Sequence, residues 1–302
     1  MAGIDLHAHS SLSDGTFTPE EVIDLAAERG LSGVALTDHD TTEGLERARA
    51  AADRHGLELV PGVEFSAMYE GSSIHVLCYW MDPAHRELQA ELRRLRDDRF
   101  RRGERMVEKL QGLGYPVSFE RVRQISGGGN IVRPHVAQAL VEAGVVATEK
   151  DAYTSELIAD GGKADVQKHA LHPLDALDLI RRSGGVCVLA HPGMWGHQRE
   201  TPDELIEVMA KRGMAGLEVD HPDHTPDQAA RYRAMAARLG LVPTGASDCH
   251  GTRFDPVRLG TFTTDPARIT ELRERVHQAR STQATASPAP GPTAERERPA
   301  PR

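Results

Sequence analysis

Aromatic residues are scarce in this sequence. Phe, Tyr and Trp together make up 4% of its 302 residues, which leaves little for base-stacking platforms of the single-strand-binding kind. Cysteine occurs three times, as Cys78, Cys187 and Cys249, widely spaced and without a CxxC pair. No disulfide framework is expected, the cysteines read as small buried hydrophobes, and a reducing cytoplasmic setting fits. Basic charge is outnumbered, 36 Lys and Arg against 45 Asp and Glu, for a formal net charge of −9. No global field therefore exists to hold a long nucleic acid, although a local basic patch stays open. No apolar run approaches the ~20 residues needed to span a bilayer, so no membrane association is expected. The first polar cluster begins at His7, so no signal peptide is expected. No obligate protein partner is evident.

What is present is histidine, fifteen of them, placed with regularity. Residues 4–9 read as a short strand carrying His7 and His9, followed by a turn carrying Asp14. Residues two apart in a strand point the same way, so both imidazoles can aim at one point. Thr18-Pro19-Glu20-Glu21 opens a helix, with Thr18 as cap and Glu21 completing a capping box, and Gly30 stops it. Further strands are expected at 31–36, 57–65, 73–79, 185–190, 216–219 and 241–246. Helices are expected at 42–55, 173–183, 202–212, 226–239 and 266–280. The alternation of strand and helix predicts a parallel sheet. In such sheets reactive residues gather where strands end.

Residues 83–170 break the alternation. The stretch to Leu113 is helical and crowded with Arg93, Arg94, Arg96, Arg99, Arg101, Arg102 and Arg105. One reading is a solvated face paired with its own acids Glu87, Glu91, Asp97, Asp98 and Glu104; the sharper one turns one or two arginines onto a phosphate. Gly127-Gly128-Gly129 lacks the GK[ST] ending of a phosphate loop and reads as a flexible connection. Residues 83–170 are expected to form a helical insertion over the barrel mouth, with 1–82 and 171–280 forming the barrel. Residues 281–302, rich in Ser, Thr, Ala, Pro and charge, are expected to be a disordered tail.

The strand ends offer His7, His9, Asp14, His39, Glu64, His75, His191, Asp248 and His250. This mixture of imidazole and carboxylate suits manganese, iron or zinc. Zinc takes about four to five ligands and octahedral ions about six, so the set calls for two or three ions sharing a bridging carboxylate. Glu64, central in sequence order, is the expected bridge. His55, His85, His169, His172, His197 and His277 lack this placement and read as ordinary surface or core histidines.

His7-Ala8-His9, Thr37-Asp38-His39-Asp40, Pro61-Gly62-Val63-Glu64, His75, Ala190-His191-Pro192 and Ser247-Asp248-Cys249-His250 resemble the motifs of the PHP (polymerase and histidinol phosphatase) superfamily. The resemblance spans about residues 4 to 280. It implies an α/β fold, a distorted (β/α)7 TIM-like barrel with a small, mainly helical inserted domain. It also implies three metal ions: one on His7, His9, Glu64 and Asp248, a second on Glu64, His75 and His191, a third on Asp14, His39 and His250. No ligand position is substituted.

The arginine helix and Ile131-Val132-Arg133-Pro134-His135 resemble the nucleotide-binding insert of the 3',5'-nucleoside bisphosphate phosphatases. That implies removal of the 3'-phosphate from small phosphorylated nucleotides, by a metal-bridged hydroxide attacking phosphorus in line. Manganese is the first choice of ion, with iron or zinc as alternatives. Arg133 is expected to clamp the phosphate from an extended segment before Pro134, with Arg99 and Arg102 as candidates for a second phosphate. His135 either sits beside Arg133 or starts a helix. His221 and His224 either line the pocket or shape a turn. The alternatives are a 5'-to-3' exoribonuclease on short RNA, a histidinol-phosphatase-like phosphatase, a metal-dependent amidohydrolase and a metal-binding module without turnover.

Overall fold

The computed structural model describes residues 3–128, 131–166, 170–193 and 200–286, with side chains described as far as Ser281. Seven strands form one sheet in the order of the chain: β1 (Ile4–Ala8), β2 (Gly33–Leu36), β3 (Glu58–Tyr69), β4 (Ser72–Tyr79), β5 (Val186–Leu189), β6 (Gly216–Asp220) and β7 (Val242–Gly245). The sheet curls into a nearly closed barrel. Its seam between β1 and β7 is stitched by Ala8 with Cys249 and by Ile4 with Thr264. The Asp5 carboxylate reinforces the seam by accepting the amides of His7, Ser247 and Gly260 at 3.2, 3.0 and 2.7 Å.

The connecting helices end where local chemistry stops them. In α1 (Pro19–Glu28) the Thr18 hydroxyl accepts the Glu21 amide while the Glu21 carboxylate accepts the Thr18 amide, the expected capping box. In α2 (Leu45–His55) Gly56 closes the helix with φ +64°, a left-handed conformation in which a side chain would be strained. This helix begins three residues later than the sequence suggested.

The sheet is not parallel throughout. β3 pairs with β4, and β4 with β5, in antiparallel register. Tyr69 faces Ser72 across a two-residue loop, Glu70-Gly71, with φ of +48° and +80°. Both central residues at positive φ define the tight hairpin that matches strand twist. A parallel connection needs a dozen or more residues, and this loop is far too short for one.

After β4, α3 (Arg86–Gly112) spans two apolar clusters. Leu88, Leu92 and Leu95 pack on the barrel cluster. Met106, Val107 and Leu110 belong to a second cluster with Val122 of α4 (Phe119–Ile125), Val136 and Leu140 of α5 (Arg133–Glu142), and Ile158. The barrel resumes with α6 (Pro173–Arg182), α7 (Asp203–Lys211), α8 (Pro226–Leu239) and α9 (Pro266–Ala286). α9 runs six residues past the expected end, so residues 281–286 are helix rather than tail; residues 287–302 lie outside the described residues. Gly129, in the expected glycine connection, also lies outside them, as do His169 and His197. Among the described residues no helix is long and apolar enough to cross a membrane. The three cysteines are buried and free, as expected of small hydrophobes.

Candidate metal centre

All nine sequence-predicted ligands converge at one end of the barrel. β1 presents His7, and His9 follows its last residue. His39 follows β2 and pairs with Glu64 of β3 as a backbone bridge, His75 lies on β4, His191 follows β5, and Asp248 and His250 follow β7. Glu64 is the hub. One of its oxygens lies 3.3, 3.3 and 3.0 Å from nitrogens of His7, His9 and His39, and the other 3.0 and 3.2 Å from those of His75 and His191. Asp248 lies 3.3 and 3.1 Å from His7 and His9, and 3.7 Å from His250. Asp14 lies 3.3 Å from His250 and 3.7 Å from both His9 and His39. Asp40 and Asp248 hold φ of +53° and +48°, strained conformations of the kind that cluster at functional sites.

The donor set fits divalent metal ions. Two ligand atoms about 2.1 Å from one ion and at right angles lie about 3.0 Å apart, the spacing seen here. Nε2 of His7 and His9 and Oδ1 of Asp14 and Asp248 are buried without a hydrogen-bond partner among the described residues, although they lie close together. Atoms so placed converge on a shared point rather than on each other. Three groups could each hold an ion: His9, Asp14, His39 and His250; His7, His9 and Asp248; and His39, Glu64 and His75. Against the expected partition, His9 also joins Asp14, His39 and His250, Glu64 is absent from the group of His7, His9 and Asp248, and His39 stands where His191 was expected beside Glu64 and His75.

The electrostatics agree. Burial opposes ionisation of the Glu64, Asp14 and Asp248 carboxyls, yet the surrounding imidazoles hold all three well below the usual carboxylate range. Burial likewise opposes charging His9, but the neighbouring Asp248 and Glu64 carboxylates lift it to about 10. For His75, although Glu64 lies 3.0 Å away, burial wins, helped by the charges of His39 and His191, and pushes the imidazole down to about 3. Three buried carboxylates thus demand compensating positive charge, from protons or from metal ions.

Several residues that support the site escaped the sequence reading. Glu218 of β6 faces His7 Nδ1 at 3.1 Å with one oxygen and accepts the His191 amide at 2.7 Å with the other. Its strand was legible, but nothing marked this carboxylate as facing a histidine across the barrel. Asp38, beside His39, accepts the Ser10 amide and the hydroxyls of Ser10 and Ser13 at 2.6–2.7 Å, which fixes the turn before Asp14. Arg253 donates to the Asp14 carbonyl at 2.6 Å and to the Glu149 carboxylate at 2.9 Å.

Of the two open histidines, His224 is a clamp. Its Nδ1 donates to the Val219 carbonyl at 2.8 Å and its Nε2 accepts the Gly193 amide at 3.1 Å, which ties down the loop carrying His191. His221 shapes its turn by accepting the Asp223 amide at 3.1 Å. It also brings Nε2 within 3.6 Å of Asp248, too far for a hydrogen bond.

The residues expected to bind substrate lie on α3 and α5. Arg99 donates to Asp40 at 2.7 Å and also to Ser66. Arg102 donates to the Val166 carbonyl at 2.6 Å and to Asp165 at 3.2 Å, and burial pushes it down to about 10. Arg133 donates to Asp160 at 2.5 Å and lies 6.0 Å from the Tyr153 ring. Its backbone is the first residue of α5 rather than extended; the extended residue is Val132, at φ −124° and ψ 162°. Pro134 explains this, because proline is well tolerated in a helix's first turn. His135 takes the helix-start role, accepting the Val132 amide at 3.3 Å. Glu91 and Arg94 of α3 pair within the helix at 3.8 Å. Arg96, Arg99 and Arg102 reach acids elsewhere, so the self-paired face expected for this helix is largely replaced by ties to the barrel and to Asp165. The remaining ordinary histidines act locally: His85 and His172 cap helices, and His55 pairs with Asp24.

A barrel of this topology with a buried histidine–carboxylate cluster at its mouth fits a metal-dependent hydrolase, and its relatives make it a phosphoesterase. The chain belongs to the PHP family: the PHP domain model matches residues 5–111. It is 37% identical over 252 residues to a 3',5'-nucleoside bisphosphate phosphatase of Chromobacterium violaceum, covering 83% of this chain and 88% of the relative. It is 33% identical to the 5'-3' exoribonuclease Rnm of Salmonella typhimurium, covering 82% and 84%. It is 34% identical to a phosphoribosyl 1,2-cyclic phosphate 1,2-diphosphodiesterase of Eggerthella lenta, covering 82% and 94%. Among solved structures, one assigned as a metal-dependent phosphoesterase from Bifidobacterium adolescentis superposes with a TM-score of 0.84 at 37% identity, over 91% of this chain and 96% of that one.

Proposed function

We propose that this enzyme removes the 3'-phosphate of small 3',5'-nucleoside bisphosphates. The observation that carries the reading is the group of guanidiniums beside the metal cluster. Arg99 is anchored to Asp40, next to His39, and Arg253 to Asp14 itself. The charges of Arg99 and Arg253 act on His135, and those of Arg133 and Arg253 on Tyr153. A substrate with two phosphates fits a site with two kinds of anion receptor, and the similarity to the bisphosphate phosphatase points the same way.

In this reading His7, His9, Asp14, His39, Glu64, His75, His191, Asp248 and His250 would hold two to three divalent ions, manganese first, with Glu64 shared. Such ions supply Lewis acidity toward phosphoryl oxygens and lower the pKa of water from 15.7 to about 7. The protein's own part is positioning. Glu218 orients His7 and the His191 backbone, Asp38 fixes the turn carrying Asp14, and Arg133, Arg102 and Arg99 exchange their present carboxylate contacts for phosphate oxygens. Bidentate guanidinium–phosphate geometry suits that exchange. Residues 83–170 act as the inserted unit that brings these arginines over the barrel mouth.

The test is a phosphate-release screen of 3',5'-adenosine bisphosphate, AMP, histidinol phosphate and short RNA with manganese, iron and zinc. The bisphosphate should be hydrolysed most efficiently, with loss of activity in His9→Ala and Asp248→Ala. Histidinol phosphate ahead of the nucleotides overturns the reading. A second reading, 5'-to-3' exoribonuclease on short RNA, is favoured by the exposed Arg93, Arg94, Arg101 and Arg105 along α3 and by the similarity to Rnm. It predicts mononucleotide release with a steep dependence on salt.

A further inference from the structure

At the rim of the barrel mouth lies a cavity of about 200 Å³ that none of the roles above uses. Leu12, Thr41, Arg96, Asp97, Phe100 and Ile131 line it. Leu12 belongs to the loop that carries Asp14, Thr41 lies two residues after His39, and Phe100 follows Arg99. The cavity walls thus come from the same loops and helix that carry Asp14, His39 and Arg99. It is smaller than a whole-ligand pocket, which begins at about 300 Å³, and suits one ring system of a larger molecule.

Its walls have the chemistry of a base receptor. Phe100 is 43% exposed, in a chain whose other large side chains are mostly buried. Its ring is held edge-on against Phe119, with centroids 5.1 Å apart and planes at 83°, so it is fixed rather than folded inward. Leu12 and Ile131 supply further apolar surface. Thr41 and the Arg96–Glu43 ion pair form a polar side. The Asp97 carboxylate has no hydrogen-bond or ion-pair partner among the described residues, so it is available as an acceptor.

We propose that this cavity is the nucleobase subsite of the enzyme, an inference that rests on the nucleotide reading of the main site. The base stacks on Phe100, and Asp97 accepts a hydrogen bond from an exocyclic amino group. An aromatic face accepts any base, whereas a carboxylate beside the adenine amino group would meet the O4 carbonyl of uracil in the same place, two acceptors facing each other. Adenine nucleotides are therefore preferred over those of uracil. The scarcity of aromatic residues fits a single stacking position for one nucleotide rather than a track for a long strand.

The experiment compares steady-state phosphate release from 3',5'-adenosine bisphosphate, 3',5'-uridine bisphosphate and an abasic tetrahydrofuran 3',5'-bisphosphate. Wild type should show a KM for the abasic compound at least about tenfold above that for the adenosine compound, with similar kcat, in line with stacking on a single aromatic. Phe100→Ala should raise the adenosine KM to the abasic value, leave the abasic KM unchanged, and be restored by Phe100→Tyr. Asp97→Asn should erase the preference for adenosine over uridine. Equal KM values for the adenosine and abasic compounds in wild type, or an equal effect of Phe100→Ala on both, overturn the subsite while leaving the main site's reading intact. If wild type releases no phosphate from any of the three bisphosphates, the nucleotide reading fails and the subsite falls with it.

Discussion

Glu218 Oε1 lies 3.1 Å from His7 Nδ1, fixing which nitrogen of that imidazole faces the centre of the barrel. Its other oxygen holds the backbone amide of His191. One buried carboxylate on β6 thus sets the orientation of a ligand on β1 and of the loop after β5. Partners of this kind set the tautomer and basicity of a ligating histidine. Glu218→Gln keeps the shape but alters the donor pattern. It should fold as wild type does and bind Mn²⁺ about 10- to 100-fold more weakly, measured by calorimetric titration beside a circular dichroism spectrum. An unchanged affinity would show that His7 is oriented by something else.

Glu64 lies within 3.0–3.3 Å of five imidazoles. Glu64→Ala should therefore lose more bound metal than His75→Ala, whose imidazole touches the cluster at one edge. Elemental analysis of the purified, metal-loaded proteins checks this. The weakening in Glu64→Ala should exceed the roughly 100-fold upper range for outer partners.

His135 gives a pH dependence whose sign can be worked out. Burial is the main cause that pushes its imidazole down from 6.5 to about 4. Above pH 6.5 the ring is neutral in folded and unfolded chains alike. Between pH 6.5 and about 4 the unfolded chain gains a proton that the folded chain refuses. Stability should fall across that window by about 3 kcal/mol from this group. Glutamine at the same position, the third of α5, keeps an acceptor for the Val132 amide and removes the titration. His135→Gln should lose less stability than wild type between pH 7 and pH 4 in urea unfolding; parallel losses would rule out His135 as the source.

Thr18→Ala removes the hydroxyl half of the α1 capping box, four residues along the chain from Asp14. A loss of about 1 kcal/mol in unfolding free energy is expected, with phosphate release unchanged. A large fall in activity would mean that α1 couples to the site through the loop carrying Asp14.

Much of the candidate site was legible because ligand chemistry and strand position recur together. His7, His9, His39 and Glu64 each fall where an apolar strand run ends, and Asp248 and His250 repeat the pattern at β7. The direction of β4 was not legible. Glu70-Gly71 lacks the Asn-Gly or Asp-Gly signature of a tight hairpin, and only the shortness of the loop argues against a crossover. The effect of Pro134 on the residue before it argues locally for an extended Arg133, although proline also opens helices. Glu218 and Arg253 stayed hidden for a different reason: their partners, His7 and Asp14, come from the first strand and the turn after it.

The sequence by itself determined which atoms are available and where along each strand they stand, since side-chain chemistry and the alternation of apolar and polar residues are local properties. It also determined the helix caps, where Thr18, Glu21 and Gly56 act within a few residues of themselves. Only the tertiary structure decided which of those atoms meet. Curling seven short strands into a barrel brings His7 and Asp248, from opposite ends of the chain, within 3.3 Å. That proximity is a property of the closed sheet, which no local stretch of residues encodes.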